Sequence, residues 1–259
     1  MAISLTIDGE QVTAKEGQSL LAVARAAGAM IPSLCAHPHL KPYGACRMCL
    51  VEVTRNGRTR ITTSCNYEVL DGIEVRTDTE EVRRHRKMVL RLLLGIAPEA
   101  SAIVGMAKAN GVDESTFTPR EPPAGRENCI LCGLCARVCE EVVGACALTL
   151  SGRGDRRGLE VPYAQRVAES CIGCGACAAV CPTGAVEEES IKVEVLRKRP
   201  ATERKCRYNM MGLMPGALCP NNYDCASCEV DQRFVEACHP QHPIFAAKGL
   251  VSPKGWESK

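Results

Sequence analysis

Residues 129–139 read CILCGLCARVC, and residues 171–182 read CIGCGACAAVCP. Each is a C-x2-C-x2-C-x3-C run. Two such runs in tandem are the ligand pattern of a bacterial-type ferredoxin module holding two [4Fe–4S] cubanes. In that module the fourth cysteine of each run serves the other cluster. The spacing therefore predicts one cubane on Cys129, Cys132, Cys135 and Cys181, and a second on Cys171, Cys174, Cys177 and Cys139. Pro182 follows the usual wording, whereas Glu140 stands where a proline often stands.

Working outward, the 259-residue chain carries 18 cysteines. A secreted disulfide framework is the competing use of so many thiols. The opening MAISLTIDG argues against it, being strand-like, without the charged and apolar regions of a signal peptide. No apolar run is long enough to span a bilayer. The expectation is a cytosolic chain, or one peripheral on a cytosolic membrane face, whose reduced thiols serve metals. The near-balanced charge of +2 gives no footprint for nucleic acid. Aromatics are 3% of residues, so no large aromatic core can form, and bound metal is expected to help hold the small modules.

Residues 1–78 read as one module. Ile3, Leu5 and Ile7 alternate with polar residues as in a half-buried strand. Asp8-Gly9 turns the chain into a second strand near Gln11–Ala14. Ser19 caps a helix that runs to Ala27 and stops at Gly28. Cys49–Val53 and Ile73–Val75 supply further strand. This order predicts a β-grasp module. It holds Cys35, Cys46, Cys49 and Cys65, whose central C-x2-C suits a [2Fe–2S] centre, with two thiolates to each iron. Structural zinc is the alternative. His37 and His39 read as loop residues, not ligands.

Residues 80–96 predict a helix with Glu80 and Glu81 at its start and Val82, Val89, Leu92, Leu93 and Ile96 on its apolar face. Its basic face reads as solvated rather than membrane-bound. A second helix is expected near 100–110, then a Pro-rich linker at 118–125. The expected division is 1–78, a helical 79–125, a ferredoxin domain 126–190 and a cysteine-rich tail 191–259, an α+β architecture. The tail offers Cys206, Cys219, Cys225 and Cys228 as a third [4Fe–4S] site or a zinc site. Cys146 reads as a buried free thiol. Cys238 is left over, with His239 and His242 as reserve ligands or surface residues.

The stretch from Cys35 to Val53, CAHPHLKPYGACRMCLVEV, resembles the [2Fe–2S] domain of the large iron–sulfur subunit of bacterial complex I. It is similar also to the small iron–sulfur subunit of NAD-linked hydrogenases. Residues 129–144, 151–154 and 168–177 resemble the same family. That family has a further [4Fe–4S] cluster, held by one histidine and three cysteines, after the helix at 80–96. The aligned positions here are Ala97, Ser101, Val104 and Asn110, so the resemblance implies a member that has lost that cluster. His85 lies too early to replace it. Residues 219–232 resemble a short motif of anaerobic redox proteins.

The resemblance implies an iron–sulfur electron-transfer subunit between a flavoprotein of NAD(P)H type and a catalytic subunit such as a hydrogenase, formate dehydrogenase or other reductase. It has no catalytic centre of its own, since no dinucleotide fingerprint or P-loop is present. A metal-stabilised assembly subunit and a freestanding polyferredoxin are the alternatives.

Overall fold

A computed structural model describes residues 2–112, 127–160, 168–186 and 190–246. The Pro-rich linker at 118–125 lies outside the described residues. Contacts divide the chain into two units: Met1–Cys132 with Pro182–Ala185, and Gly133–Cys181 with Val186–Lys259.

In the first unit, β1 (Ala2–Ile7) and β2 (Glu10–Lys15) form an antiparallel hairpin with Ile7 opposite Glu10. Asp8 and Gly9, at φ 50° and 93°, make the two-residue turn. Two successive positive-φ residues match the strand twist, which is why Asp-Gly suits this position. Helix α1 (Leu20–Ala26) starts at Ser19, whose Oγ accepts from the Ala22 amide at 3.3 Å. Gly28 leaves the helix at φ 90°.

Strands β3 (Leu50–Arg55), β4 (Arg58–Thr63) and β5 (Glu74–Arg76) complete a sheet of order β2-β1-β5-β3-β4. β1 and β5 pair in parallel and the other pairs are antiparallel. A mixed sheet with one helix on its face is the β-grasp arrangement expected from the sequence. β4 is a strand that the sequence does not announce, because RTRITT is polar at its start and alternates only weakly. Leu5, Leu20, Val51, Val53, Val69, Ile73 and Val75 are buried in one core between sheet and α1. Each buried side chain of this kind contributes roughly 1.5–3 kcal/mol. Cys49 and Cys65 belong to the same core.

Helix α2 (Glu80–Ile96) begins at Thr79, whose Oγ1 accepts from the Val82 amide at 3.2 Å. The buried face is Val82, Arg86, Leu90, Leu93 and Leu94. Leu92 faces solvent at 46% exposure, so the predicted apolar set is corrected at that position. The basic face is also not wholly solvated. Arg86 is 5% exposed and donates through Nη2 to the carbonyls of Leu50 at 2.6 Å and Thr77 at 3.0 Å. It ties α2 to the strand that follows Cys49. Helix α3 (Ser101–Ala109) packs back on α2.

The second unit opens with α4 (Leu134–Val138), which runs into a π-turn at Cys139–Val143. A small hairpin follows, β6 (Thr149–Ser151) against β7 (Gly158–Glu160). Helix α5 (Ala176–Ala179) repeats α4 in miniature. Both start from a left-handed glycine, Gly133 at φ 76° and Gly175 at φ 77°. The tail contributes α6 (Ser190–Arg197), α7 (Arg207–Met210), α8 (Glu229–Cys238) and α9 (Pro243–Ala246). Tyr208 stacks on Phe234 at 4.0 Å between ring centres, with Met211, Leu213, Met214 and Val230 around them.

Replacing Arg86 by Leu removes two hydrogen bonds from a buried charged donor to backbone carbonyls. The expected loss is about 2 kcal/mol or more of unfolding free energy. Anaerobic urea unfolding followed by circular dichroism measures it, and an unchanged midpoint would refute the clamp.

Candidate metal centres

Cys35, Cys46, Cys49 and Cys65 are all buried, between 1% and 5% exposed. Their positions follow from the fold around them. The loop after α1 is held by Arg25, whose Nη2 donates to the Ile31 carbonyl and to Ser33 Oγ, each at 2.7 Å. Cys49 immediately precedes β3. Cys65 sits in a short turn after β4, where Ser64 Oγ donates to the Cys49 carbonyl at 2.8 Å.

The thiols form a hydrogen-bonded chain. Hydrogen bonds from Cys46 and then Cys65 hold the Cys35 thiol well below its ordinary pKa. A bond from Cys65 does the same for Cys49. The donors, Cys46 and Cys65, are pushed up by those same bonds. Metal ligation takes the thiolate form, so a metal group entering here displaces the protons that the thiols retain.

Backbone amides also point at the sulfurs. Leu34 N–H donates to Cys46 Sγ and Cys46 N–H to Cys35 Sγ, both at 3.4 Å. Such donors stabilise anionic sulfur. Arg47 takes φ 58° and Gly44 φ 73° to turn the loop this tightly. A Cβ on Gly44 would lie 2.9 Å from Asn66 Nδ2, beside Cys65. Four buried thiols in contact, with amides aimed at them, fit a [2Fe–2S] group. The ring of His37 lies 5.6 Å from that of His39.

In the second unit, Cys139, Cys171, Cys174 and Cys177 act on one another electrostatically. Burial pushes the Cys177 thiol up to about 12, with the neighbouring thiols Cys174, Cys171 and Cys139 adding to the shift. Cys139 shares an apolar cluster with Cys171, which brings the last cysteine of one run beside the first of the other. Cys139 Sγ accepts from the Ala147 amide at 3.2 Å, and Cys171 Sγ from the Gly173 amide at 3.5 Å. Of the other predicted set, Cys135 and Cys181 lie in this unit and Cys129 and Cys132 in the first. Cys146 is exposed at φ 48°, which corrects the expectation of a buried thiol. It sits on the outside of the turn that follows the π-turn.

Cys206, Cys219, Cys225 and Cys228 line one concave site, together with Arg207, Tyr223 and Asp231. An isolated bridge between Lys205 and Leu218 brings the segments carrying Cys206 and Cys219 side by side. Asn222 and Tyr223, both at positive φ, fold the next loop back so that the Tyr223 amide donates to Cys219 Sγ at 3.1 Å. Burial raises the Cys206 and Cys225 thiols. Among the described residues no three His, Cys, Asp or Glu close around a single ion. Four thiols on one concave surface with an amide aimed at sulfur are the observations that fit a metal group here. Cys238 is buried elsewhere, at the end of α8.

Of the positions aligned with the family's additional cluster, the one on a histidine and three cysteines, Ala97 is buried, Ser101 is exposed, and Val104 and Asn110 are half-buried. Ala97, Ala100 and Ile103 have no exposed surface, and Ala107 and Val112 pack beside them. The α2–α3 hairpin thus keeps its form through apolar packing.

Two families match the chain: a 2Fe-2S iron–sulfur cluster binding domain over residues 1–80, and a 4Fe-4S dicluster domain over 128–185. The alpha subunit of the NADPH-Fe(3+) oxidoreductase of Geobacter sulfurreducens is 32% identical over 173 residues, covering 59% of this chain and 20% of the relative. The G 2 subunit of the NADH-quinone oxidoreductase of Rhizobium meliloti is 34% identical over 176 residues, with the same two coverages. The chain spans a fifth of the length of these curated relatives. A chain from the crystal structure of the NAD+-reducing [NiFe]-hydrogenase in the H2-reduced state superposes with TM-score 0.61. It is 30% identical, and the match covers 77% of this chain and 91% of that one.

Gly44→Ala should lower the amount of [2Fe–2S] retained on purification at least twofold, read by iron analysis and electron paramagnetic resonance. Gly57→Ala is the control, since Gly57 has φ 72° but nothing within 4 Å of a Cβ. Its cost is confined to about 1–2 kcal/mol of backbone strain. Equal cluster loss in both variants would show that the contact with Asn66 is irrelevant.

Proposed function

The chain belongs to the family of iron–sulfur subunits that includes the G-type subunits of NADH-quinone oxidoreductases and the matched chain of the NAD+-reducing [NiFe]-hydrogenase, and from that premise we propose that it is an electron-transfer subunit of a larger oxidoreductase. The observation that carries this reading is the convergence of thiols at successive places along one chain, each with amide donors aimed at sulfur. Such centres supply reversible one-electron chemistry.

In this reading Cys35, Cys46, Cys49 and Cys65 hold a [2Fe–2S] cluster. Cys129, Cys132, Cys135 and Cys181 hold one [4Fe–4S] cluster, and Cys171, Cys174, Cys177 and Cys139 another. Cys206, Cys219, Cys225 and Cys228 hold a third, with zinc as the alternative. The domains are 1–78, 79–125, 126–190 and 191–259. A flavoprotein that handles NAD(P)H is one partner, and a catalytic subunit such as a hydrogenase or another reductase is the second. These assignments are supported by the NAD- and NADPH-linked enzymes named among the relatives. The reading places the chain in the cytosol, or peripheral on a cytosolic membrane face, where thiols stay reduced. No described helix is long and apolar enough to cross a membrane.

The protein's own residues bury the thiolates, aim amides at sulfur and exclude water. These factors set cluster potentials, which range widely with hydrogen bonding and exposure. Anaerobic purification of the native complex, with iron, sulfide and zinc counted per chain, tests the proposal. About fourteen irons, a brown colour bleached by dithionite and a co-purifying flavoprotein are expected. About ten irons with one zinc would make the tail a structural clamp. A colourless protein would overturn the electron-transfer reading in favour of a metal-stabilised assembly subunit.

A further inference from the structure

The tail reaches the second cysteine run through one carbonyl. Arg207 follows Cys206 directly and lines the tail concavity. Its Nη2 donates to the carbonyl oxygen of Cys174 at 2.7 Å. His242 Nε2 donates to the same oxygen at 2.9 Å. The Cys225 thiol lines the same concavity. Arg207 Nη1 lies 3.5 Å from Asp231 Oδ1, which also accepts from Tyr208 Oη at 2.8 Å. The Arg207 and Asp231 side chains are each 15% exposed. All of these residues belong to the second unit.

We propose that Arg207 positions and tunes a direct electron step between the tail centre and the cluster on Cys139, Cys171, Cys174 and Cys177. The proposal rests on the reading of the tail as an iron–sulfur site. A guanidinium has a rigid fork of donors and keeps its proton at any working pH. Here the guanidinium stands in the tail concavity with the candidate ligand Cys225 and donates to the backbone of a candidate ligand of the cubane. One hydrogen bond thus joins the tail concavity to the second cysteine run. The fork also sets a permanent positive charge beside both. Reducing the tail centre adds one negative charge next to it, which the guanidinium attracts, the more strongly for the low local dielectric. Asp231 offsets part of that charge and orients the fork. In the step one centre loses an electron and the other gains it. No bond is made or broken and no proton moves.

The test uses the full chain purified anaerobically, after metal counting, with redox titration followed by electron paramagnetic resonance. In the reduced wild type the two neighbouring [4Fe–4S] signals should be split or broadened by magnetic interaction. Arg207→Gln should lower the ratio of reduced to oxidised tail centre about tenfold at the wild-type midpoint, about 59 mV for one electron. The [2Fe–2S] signal should not move. Arg207→Lys should restore most of that ratio, because the charge returns without the fork. Wild-type iron content with identical titrations of Arg207→Gln and wild type would overturn the proposal and leave the iron–sulfur tail standing. An unbroadened wild-type spectrum with full iron would do the same. Zinc in the tail would instead defeat the underlying reading. If Arg207→Gln loses its tail iron, His242→Gln decides: a weaker magnetic interaction at an unchanged midpoint supports the proposal, and an unchanged spectrum overturns it.

Discussion

Thiolate sulfur cannot be buried unless something offsets its charge, and this constraint organises the molecule. Backbone amides meet the sulfur of Cys35, Cys46, Cys139, Cys171 and Cys219 at hydrogen-bonding distance. To aim those amides the chain must turn sharply. That requirement explains the left-handed residues at Gly44, Arg47, Cys146, Gly173 and Tyr223. Regular structure then has a secondary task, which is to carry each turn to its place.

The first unit meets that task with a conventional core. Aliphatic side chains between sheet and α1 fix the ends of β3 and β4, and the thiols of Cys49 and Cys65 sit at those ends inside the same core. Arg86 extends the framework by tying α2 to the Leu50 carbonyl. The second unit has much less hydrocarbon. Its clusters are small and include Cys135, Cys139 and Cys206 themselves. Bound metal is accordingly a larger share of what holds it, as in other small metal-binding modules.

The α2–α3 hairpin offers a contrast. Of the positions where the resembled family carries further ligands, Ala97 is buried, Ser101 is exposed, and Val104 and Asn110 are half-buried. Buried Ala97, Ala100 and Ile103 give the hairpin an apolar core of its own. The centres before and after it in the chain then depend on their own loops rather than on this hairpin.

Spacing alone marked the cysteine runs, because a cluster dictates ligand separation along the chain more strictly than any fold does. Ser19, Thr79, Asp8-Gly9 and Gly28 were equally readable, since caps and turns are local interactions between near neighbours. What the linear order left open were effects of distance. Leu92 faces out and Leu90 and Leu94 face in because the partner surfaces of α2, not its own pattern, select the buried stripe. Arg86 looked like one more solvated base until its two carbonyl partners, 36 and 9 residues away, came into contact with it. Arg207 carries no signal in the linear order, yet it joins Cys174, 33 residues earlier, to the tail site. Local chemistry was legible in the sequence. The placement of buried charge was decided by tertiary structure, because a guanidinium is stable inside a protein only where acceptors from distant segments converge on it.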